Sequence, residues 1–192
     1  GFVQGTYEIM LTGVSDFCGT HTDTMTITVF DVDLSELSVI DVSCFGFADG
    51  EIQLEANNGV APYLFSLNGG AFTPNTIYSP LNVGSYTFVV QDDLGCYDTL
   101  ISSITQPDQL TLSLTGTDIS CSTFLDGSVT SNSAGGTVPY SYLWSNSAVT
   151  PDIFGLDSGQ YVLTLTDDNG CTVSDSVILT SPPPVLVDAG ND

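Results

Sequence analysis

The chain contains an internal repeat, and this constrains its fold more than any other feature of the sequence. Landmarks of the two copies occur in the same order, at an offset of 77 residues that falls to 75 after a two-residue deletion. The aligned positions are 42–50 with 119–127, Pro62 with Pro139, Gly84 with Gly159, 92–96 with 167–171, and Thr105 with Thr180. Such a repeat predicts two copies of one small domain rather than one merged core.

Partial copies flank the two repeats, so we expect a window of a longer array of domains. Residues 5–7 resemble residues 84–86, and Cys18 follows Tyr7 at nearly the spacing that separates Cys96 from Tyr86. The predicted domains are 1–33, the C-terminal part of a preceding β-sandwich domain; 34–108, the first repeat; 109–184, the second repeat; and 185–192, the start of a following domain.

Lysine and arginine are absent, while 23 residues are acidic, and the formal net charge is −23. A polyanion without cationic side chains cannot neutralise phosphates, which excludes nucleic acid as a partner. The same lack disfavours docking on anionic lipid and removes lysine and arginine as catalytic groups. No apolar run approaches the roughly 20 residues of a membrane helix, so we expect no membrane insertion in this segment.

The composition predicts an all-β protein rather than a disordered one. Hydrophobic residues make up 42% of the chain, and β-branched and aromatic residues alternate with Gly, Ser, Asn and Asp. We predict tandem immunoglobulin-like or PKD-like β-sandwich domains arranged as beads on a string. The strands predicted for the second repeat are 110–115 continued by 118–121, 128–131, 140–145, a short edge at 153–154, 161–166, and 172–180.

Local motifs refine this prediction. Asn169-Gly170 is typical of a type I′ hairpin turn, and the sequences before Tyr86 and Tyr161 have the pattern of a tyrosine corner. The predicted core residues are Leu54, Tyr63, Phe65, Tyr86, Phe88 and Val90 in the first repeat, and Val129, Tyr142, Trp144, Tyr161, Leu163 and Leu165 in the second.

The succession Cys-x-Gly-x-x-Asp-Gly, Pro-Tyr, Leu-x-x-Gly-x-Tyr, Asp-Asp-x-Gly-Cys and Gln-Pro resembles the SprB-type repeat. The resemblance covers residues 39–107 and 118–182, and the second copy departs from it at residues 122–123, where the Gly is replaced. Such repeats belong to giant surface adhesins of gliding bacteria and their relatives, exported by type IX secretion. The resemblance implies an extracellular, cell-surface segment. Residues 1–31 resemble the end of a PKD-like or immunoglobulin-like domain.

Five cysteines fit an oxidising location. We expect one disulfide within each repeat, Cys44–Cys96 and Cys121–Cys171, with Cys18 left to its own domain. The alternative is a bond from Cys44 forward to Cys171, because in an immunoglobulin-like topology the end of the first strand and the start of the last lie near opposite ends. The number of cysteines does not decide between these pairings. A metal–thiolate site is not expected, since no Cys-x-x-Cys occurs.

Acidic residues at turns suggest calcium as the one cofactor to consider, because hard cations take carboxylate ligands. The alternative interpretation is that these residues form the turns, since Asp and Asn favour turn geometry. No complete Asp-x-Asp-x-Asp-Gly loop with a closing Glu is present. The candidates are Asp92, Asp93, Asp167 and Asp168, with a second acidic cluster at Asp31, Asp33 and Glu36.

Catalysis is not expected. His21 is the only histidine, and neither repeat contains a His or Lys that could activate a nucleophile. We therefore predict a structural stalk or spacer made of repeats, with further domains of the same long chain and like chains in a filament as partners. The alternative function is an adhesive module that binds glycans or surfaces through the sandwich loops.

Overall fold

The computed structural model describes residues 5–15, 19–29, 31–121 and 124–183. These residues form fourteen β-strands and, within the described ranges, no helix. The predicted all-β class is therefore confirmed. Cys18, residues 122–123 and the whole of the predicted following domain at 185–192 lie outside the described residues.

The chain divides into two compact units that do not follow the sequence order strictly. The first unit comprises Gly1–Asp41 and Ala48–Ile104, and the second comprises Val42–Phe47 and Thr105–Asp192. A segment of six residues from the first repeat thus belongs to the second unit. The predicted domain boundaries at residues 33, 108 and 184 stay predictions.

The first two strands form a β-hairpin at the start of the chain. Strands β1 (Gly5–Ser15) and β2 (Gly19–Val29) pair antiparallel in continuous register, from Gly5 with Val29 to Ser15 with Gly19. Their assignment to a preceding domain stays a prediction.

The first repeat supplies six strands that form two three-stranded sheets. In these strands inward-pointing apolar residues alternate with exposed ones, as expected where one sheet face is buried. In β7, Phe88 and Val90 are fully buried on one face. The strands are β3 (Asp33–Ile40), β4 (Gly50–Asn57), β5 (Leu64–Leu67), β6 (Ile77–Leu81), β7 (Gly84–Gln91) and β8 (Tyr97–Ile104), in the sheet orders β3-β4-β6 and β5-β7-β8.

The second repeat has the same topology, and its two sheets face each other across a core around Trp144. This side chain is 2% exposed and packs with Val129 and Leu163, which come from opposite sheets. The β-sandwich predicted from the sequence is thus confirmed. The strands are β9 (Thr111–Thr117), β10 (Gly127–Ala134), β11 (Ser141–Trp144), β12 (Ile153–Leu156), β13 (Gly159–Thr166) and β14 (Thr172–Leu179), in the sheet orders β9-β10-β12 and β11-β13-β14.

The predicted core residues lie where the alternation places them. Leu54, Phe65, Phe88, Val90, Val129, Trp144, Leu163 and Leu165 are buried, whereas Tyr63, Tyr86, Tyr142 and Tyr161 are half-buried. The hydrogen bonds of both tyrosine corners are present. The hydroxyl of Tyr86 donates to the backbone carbonyl of Asn82 at 2.8 Å, and the hydroxyl of Tyr161 donates to the backbone carbonyl of Asp157 at 3.1 Å.

In each sandwich an aspartate on the last strand bonds the first strand of the other sheet. The backbone N–H of Leu34 donates to Asp98 at 2.8 Å, and that of Leu114 donates to Asp175 at 3.1 Å. These side-chain bonds connect β8 with β3 and β14 with β9, pairs of strands that share no ladder. Carboxylates thus close both sandwiches along one edge.

Two local predictions were wrong. Residues 118–121 do not form a strand. The Asp118 carboxylate accepts hydrogen bonds from the backbone N–H of Thr180 at 2.7 Å and from the Thr180 hydroxyl at 2.9 Å, at a position where a strand would make ladder bonds. Asn169-Gly170 is not a type I′ turn, since only Gly170 has positive φ, at 83°. The hairpin has a three-residue loop between Asp167 and Cys171, a type I turn followed by a left-handed glycine.

A prediction follows from the glycine of the Asp-Gly motif. A Cβ on Gly127 would lie 2.9 Å from the Leu156 carbonyl oxygen and 3.0 Å from side chains of Ile119 and Leu179. Overpacking a buried site of this kind costs about 1–3 kcal/mol. We therefore expect Gly127→Ala to lower the free energy of unfolding by about this amount in urea titrations.

Gly13→Ala is the matched control, because a Cβ there meets nothing within 4 Å. Equal stability of Gly127→Ala and the wild type would contradict the close packing described here.

Candidate functional site

The tip of the hairpin between β13 and β14 is organised by a buried carboxylate. Asp167 is 5% exposed, and its two oxygens accept the backbone N–H of Cys171 at 2.8 Å and of Thr137 at 2.9 Å. The backbone N–H of Asp168 donates to the Thr137 carbonyl at 2.8 Å. Gly136 leaves room for this carboxylate, since a Cβ there would lie 2.6 Å from it. The tip and the neighbouring loop therefore hold Cys171 in one backbone geometry.

The hairpin tip of the first repeat has the same bonds. Asp92, 4% exposed, accepts the backbone N–H of Cys96 at 2.8 Å and of Val60 at 3.0 Å. The backbone N–H of Asp93 donates to the Val60 carbonyl at 2.9 Å. The Val60 N–H is the main cause that holds the pKa of Asp92 below its usual value, against the opposing effect of burial. Gly59 takes the place of Gly136, with a Cβ position 3.0 Å from the carboxylate.

The segment Val42–Phe47 lies against the second hairpin tip, inside the second unit. The Val42 N–H donates to the Thr105 carbonyl at 3.2 Å, and the Gly46 N–H donates to the side-chain oxygen of Gln106 at 3.0 Å. From the tip, the side-chain amide of Asn169 donates to the Ser43 carbonyl at 2.9 Å. The roles of the Gln106 and Asn169 amides were missed in the sequence, where both residues were assigned only to motifs.

Cys44 and Cys171 form a disulfide at the centre of this arrangement. Their Cα atoms are 5.8 Å apart and their positions in the chain differ by 127 residues. Among the described cysteines, Cys96 is half-buried and free, and Cys121 is exposed and free. The pairing expected within each repeat, Cys44–Cys96 and Cys121–Cys171, is therefore wrong. The alternative pairing of Cys44 with Cys171 is the one observed.

Strand length explains why the bond cannot form within a repeat. Cys171 comes just before the start of β14, whereas Cys121 lies near its end, because the Ile119 N–H donates to the Thr180 carbonyl at 3.3 Å. The eight residues of β14 separate these positions by roughly 26 Å at about 3.3 Å per residue. Disulfides require Cα atoms within about 7 Å. The order of the strands in the sequence already contained this signal, because it places Cys121 and Cys171 near opposite ends of β14.

The candidate calcium ligands do not converge. Asp92 and Asp167 face inward and accept backbone N–H groups, whereas Asp93 and Asp168 are exposed. Throughout the described part of the chain, no group of three or more His, Cys, Asp or Glu residues could hold a metal ion. In the second acidic cluster, Asp33 accepts a hydrogen bond from the side chain of Asn58. The structure thus gives the buried Asp92 and Asp167 a role in forming the turns at the hairpin tips.

A groove of about 390 Å³ runs beside the disulfide. Its lining includes Phe45 and Phe47, which are 48% and 56% exposed, together with Gln109 and Asn169. The lining residues offer amide, hydroxyl, phenyl and aliphatic groups, and no carboxylate or imidazole is among them. The disulfide within this groove holds two chain segments together.

The comparison with protein families agrees with the repeat seen in the sequence. Residues 37–72 and residues 113–149 match the SprB repeat. The predicted resemblance is thereby confirmed for both copies. Each SprB match runs from the first strand of its sandwich to the region of the third, and therefore contains Cys44 or Cys121. No curated protein matches the chain at a significant level.

Similar solved structures include an intimin fragment, an amphioxus IgVJ-C2 molecule and a Dscam1 fragment. The C-terminal fragment of intimin, solved with the intimin-binding domain of its translocated receptor, has a TM-score of 0.40 at 11% identity and covers 80% of this chain and 64% of its own. An amphioxus IgVJ-C2 molecule has a TM-score of 0.32 at 16% identity, covering 78% of this chain and 96% of its own. The four N-terminal Ig domains of a Dscam1 isoform have a TM-score of 0.34 at 14% identity, covering 91% and 41%.

The chain thus spans less than two thirds of the intimin and Dscam1 fragments. No helix in the described part of the chain has the length and apolar character needed to cross a membrane.

The lowered pKa of Asp92 predicts acid sensitivity. A carboxylate whose pKa is lower in the folded than in the unfolded state stabilises the fold above the unfolded pKa, about 3.9, and this contribution is lost as the pH falls through the folded pKa. We expect the thermal unfolding midpoint to fall as the pH is lowered below about 4, and to fall less steeply in Asp92→Asn. Thermal unfolding between acid and neutral pH measures both slopes.

The neighbouring exposed residue provides the control, since Asp93→Asn should keep the acid slope of the wild type. Identical slopes in all three proteins would contradict the role assigned to Asp92.

The disulfide predicts a redox-dependent stability. On the chain-entropy model, a disulfide between residues 127 positions apart raises the free energy of unfolding by about 5 kcal/mol. We expect Cys171→Ser to lower the thermal midpoint of the oxidised protein and to abolish its response to dithiothreitol. Cys96→Ser should keep both the midpoint and the response, and a large drop in that variant would argue for a different pairing.

Proposed function

We propose that this chain is a stalk or spacer segment of a secreted adhesin or filamentous appendage at the cell surface, exported by type IX secretion. The matches to the SprB repeat support an adhesin-type repeat region, and a disulfide suits a protein outside the cell. In this proposal the sandwiches follow one another as beads on a string and act through length and mechanical resistance. The observation that carries the proposal is the bond from Cys44 of one repeat to Cys171 of the next.

The covalent path through this bond supports a mechanical role. Tension applied to the two ends of the chain reaches Cys44, crosses the disulfide to Cys171, and bypasses the backbone between them. The bypassed stretch includes most strands of both sandwiches, from β4 to β13. These strands therefore stay folded under a force that would otherwise be transmitted through their hydrogen bonds.

Self-association into filaments is the second part of the proposal. Without lysine or arginine, contacts between chains must be apolar, hydrogen-bonded or bridged by cations. Exposed aliphatic side chains suited to such contacts lie on the last strand of each repeat, with Ile101 68% exposed and Ile178 66% exposed. Both residues point away from the core of their own sandwich.

Force spectroscopy on single molecules held at both termini tests the mechanical role. We expect the oxidised chain to extend about 440 Å less than the reduced chain. The disulfide keeps the residues between Cys44 and Cys171, which are 127 positions apart, from being stretched, and an extended residue spans about 3.5 Å. Cys171→Ser should extend fully in either condition.

Equal extension of the oxidised and reduced wild type would refute the bypass. Glycan binding by the loops, detected on an array with the oxidised protein, would favour the adhesive module instead.

A further inference from the structure

The hairpin of β1 and β2 carries the residue pattern found on the inward face of the hairpin of β7 and β8. In β7 and β8 that face consists of three cross-strand pairs, Tyr86 with Ser102, Phe88 with Leu100, and Val90 with Asp98. The corresponding pairs in β1 and β2 are Tyr7 with Ile27, Ile9 with Met25, and Leu11 with Asp23. Each face therefore begins at a tyrosine, continues through apolar side chains and ends at an aspartate on the second strand.

This face is covered in the first repeat and open in the first hairpin. Val90 is 0% exposed, and the centroid of the Phe88 ring lies 5.0 Å from that of Tyr78, which belongs to the opposite sheet. In the first hairpin Leu11 takes the place of Val90 and is 60% exposed, and Met25 is 49% exposed. Of the described strands, only β1 and β2 belong to this sheet. Because a two-stranded sheet alone is at best marginally stable in water, the face needs an opposing sheet.

The aspartate of the hairpin indicates which group belongs on this face. In all three hairpins its Oδ1 accepts the backbone N–H of the next residue, which is Thr24 at 3.0 Å, Thr99 at 2.7 Å or Ser176 at 2.7 Å. In the two complete sandwiches its Oδ2 also accepts a backbone N–H from the first strand of the opposite sheet. Among the described residues, Asp23 accepts no such bond from another sheet. Its local bond is thus the one seen where a first strand donates to the same carboxylate.

We infer that the hairpin of β1 and β2 is an acceptor site for a first strand of the β9 type, supplied by a part of the same polypeptide that precedes Gly1. Leucines at alternate positions of this strand cover Ile9, Leu11 and Met25, and one of its backbone N–H groups donates to Asp23. In the complete sandwiches the donor precedes the aspartate by 64 and 61 residues, which places the equivalent donor ahead of Gly1. The inference gives the domain predicted at 1–33 its recognition surface, and it does not depend on the stalk function.

A second copy of the chain is less suited to supply this strand. Its own first strands are paired with β4 and β10 and bond Asp98 and Asp175, so releasing one would open a sandwich. Two hairpins packed face to face would bury two Asp23 carboxylates in one apolar contact. With no lysine or arginine in the chain, that pair of charges would have no cationic side chain beside it.

Fusion of a donor strand to the full chain tests the inference. A copy of residues 109–117 is placed before Gly1 and joined to it by a flexible Gly-Ser linker, which gives the donor a high effective concentration. We expect amide hydrogen exchange in β1 and β2 to slow by at least about tenfold, because the donor buries large apolar side chains. A donor whose three leucines are replaced by serine is the matched control and should leave these exchange rates unchanged.

A pair of alanine variants tests the hydrogen bond to the aspartate. Asp23→Ala should lose most of the slowing that the leucine donor produces. Glu8→Ala removes a carboxylate from the opposite face of the same hairpin and should keep the slowing. Exchange in β3 to β14 should be the same in all the proteins, which establishes that the two sandwiches are folded in each.

Three outcomes would overturn the inference while β3 to β14 stay protected. They are exchange in β1 and β2 that the leucine donor leaves unchanged, equal slowing by the serine donor, and full slowing in Asp23→Ala. Sedimentation of the chain without a donor examines the second copy as an occupant. A dimer that Leu11→Asp dissociates would assign this face to a second copy and would also overturn the inference.

Discussion

The structure depends on aspartate carboxylates that accept hydrogen bonds from backbone N–H groups. In a chain without lysine or arginine, a buried carboxylate has no cationic side chain to pair with, so backbone donors must stabilise its charge. Asp92 and Asp167 do this at the hairpin tips, and Asp98 and Asp175 do it between sheets. The residues that make the molecule a polyanion are therefore also the ones that fix its turns and close its sandwiches.

This use of aspartate gives a physical reason for several positions of the repeated motif. In the Asp-Gly pair, Asp126 accepts the Ser120 N–H at 3.0 Å and holds the turn after the first strand, and its pKa is lowered chiefly by the Ser120 hydroxyl. Gly127 follows because the core leaves no space for a Cβ. In the Pro-Tyr pair, the Tyr63 hydroxyl donates to the Gly59 carbonyl at 3.1 Å, in the loop that contacts Asp92. The motif thus describes how a small sandwich is held together.

The sequence predicted the features that depend on local patterns. Alternation located the strands of the second sandwich, and the spacing around Tyr86 and Tyr161 predicted two hydrogen bonds that are present. The turn type at Asn169-Gly170 was wrong because the dipeptide preference assumes a two-residue loop, and the aspartate bond to the Cys171 N–H favours a three-residue one. The cysteine pairing and the grouping of Val42–Phe47 with the second unit depend on contacts between distant parts of the chain, which no local pattern records.

The disulfide also changes what a single break in the backbone would do. Between Cys44 and Cys171 the two ends of the chain are joined by two covalent routes, the polypeptide and the sulfur bridge. A protease that cuts one peptide bond in this stretch opens one route and leaves the other, so the nicked molecule keeps both termini in one piece. Redundancy of this kind would suit the location outside the cell that is proposed above.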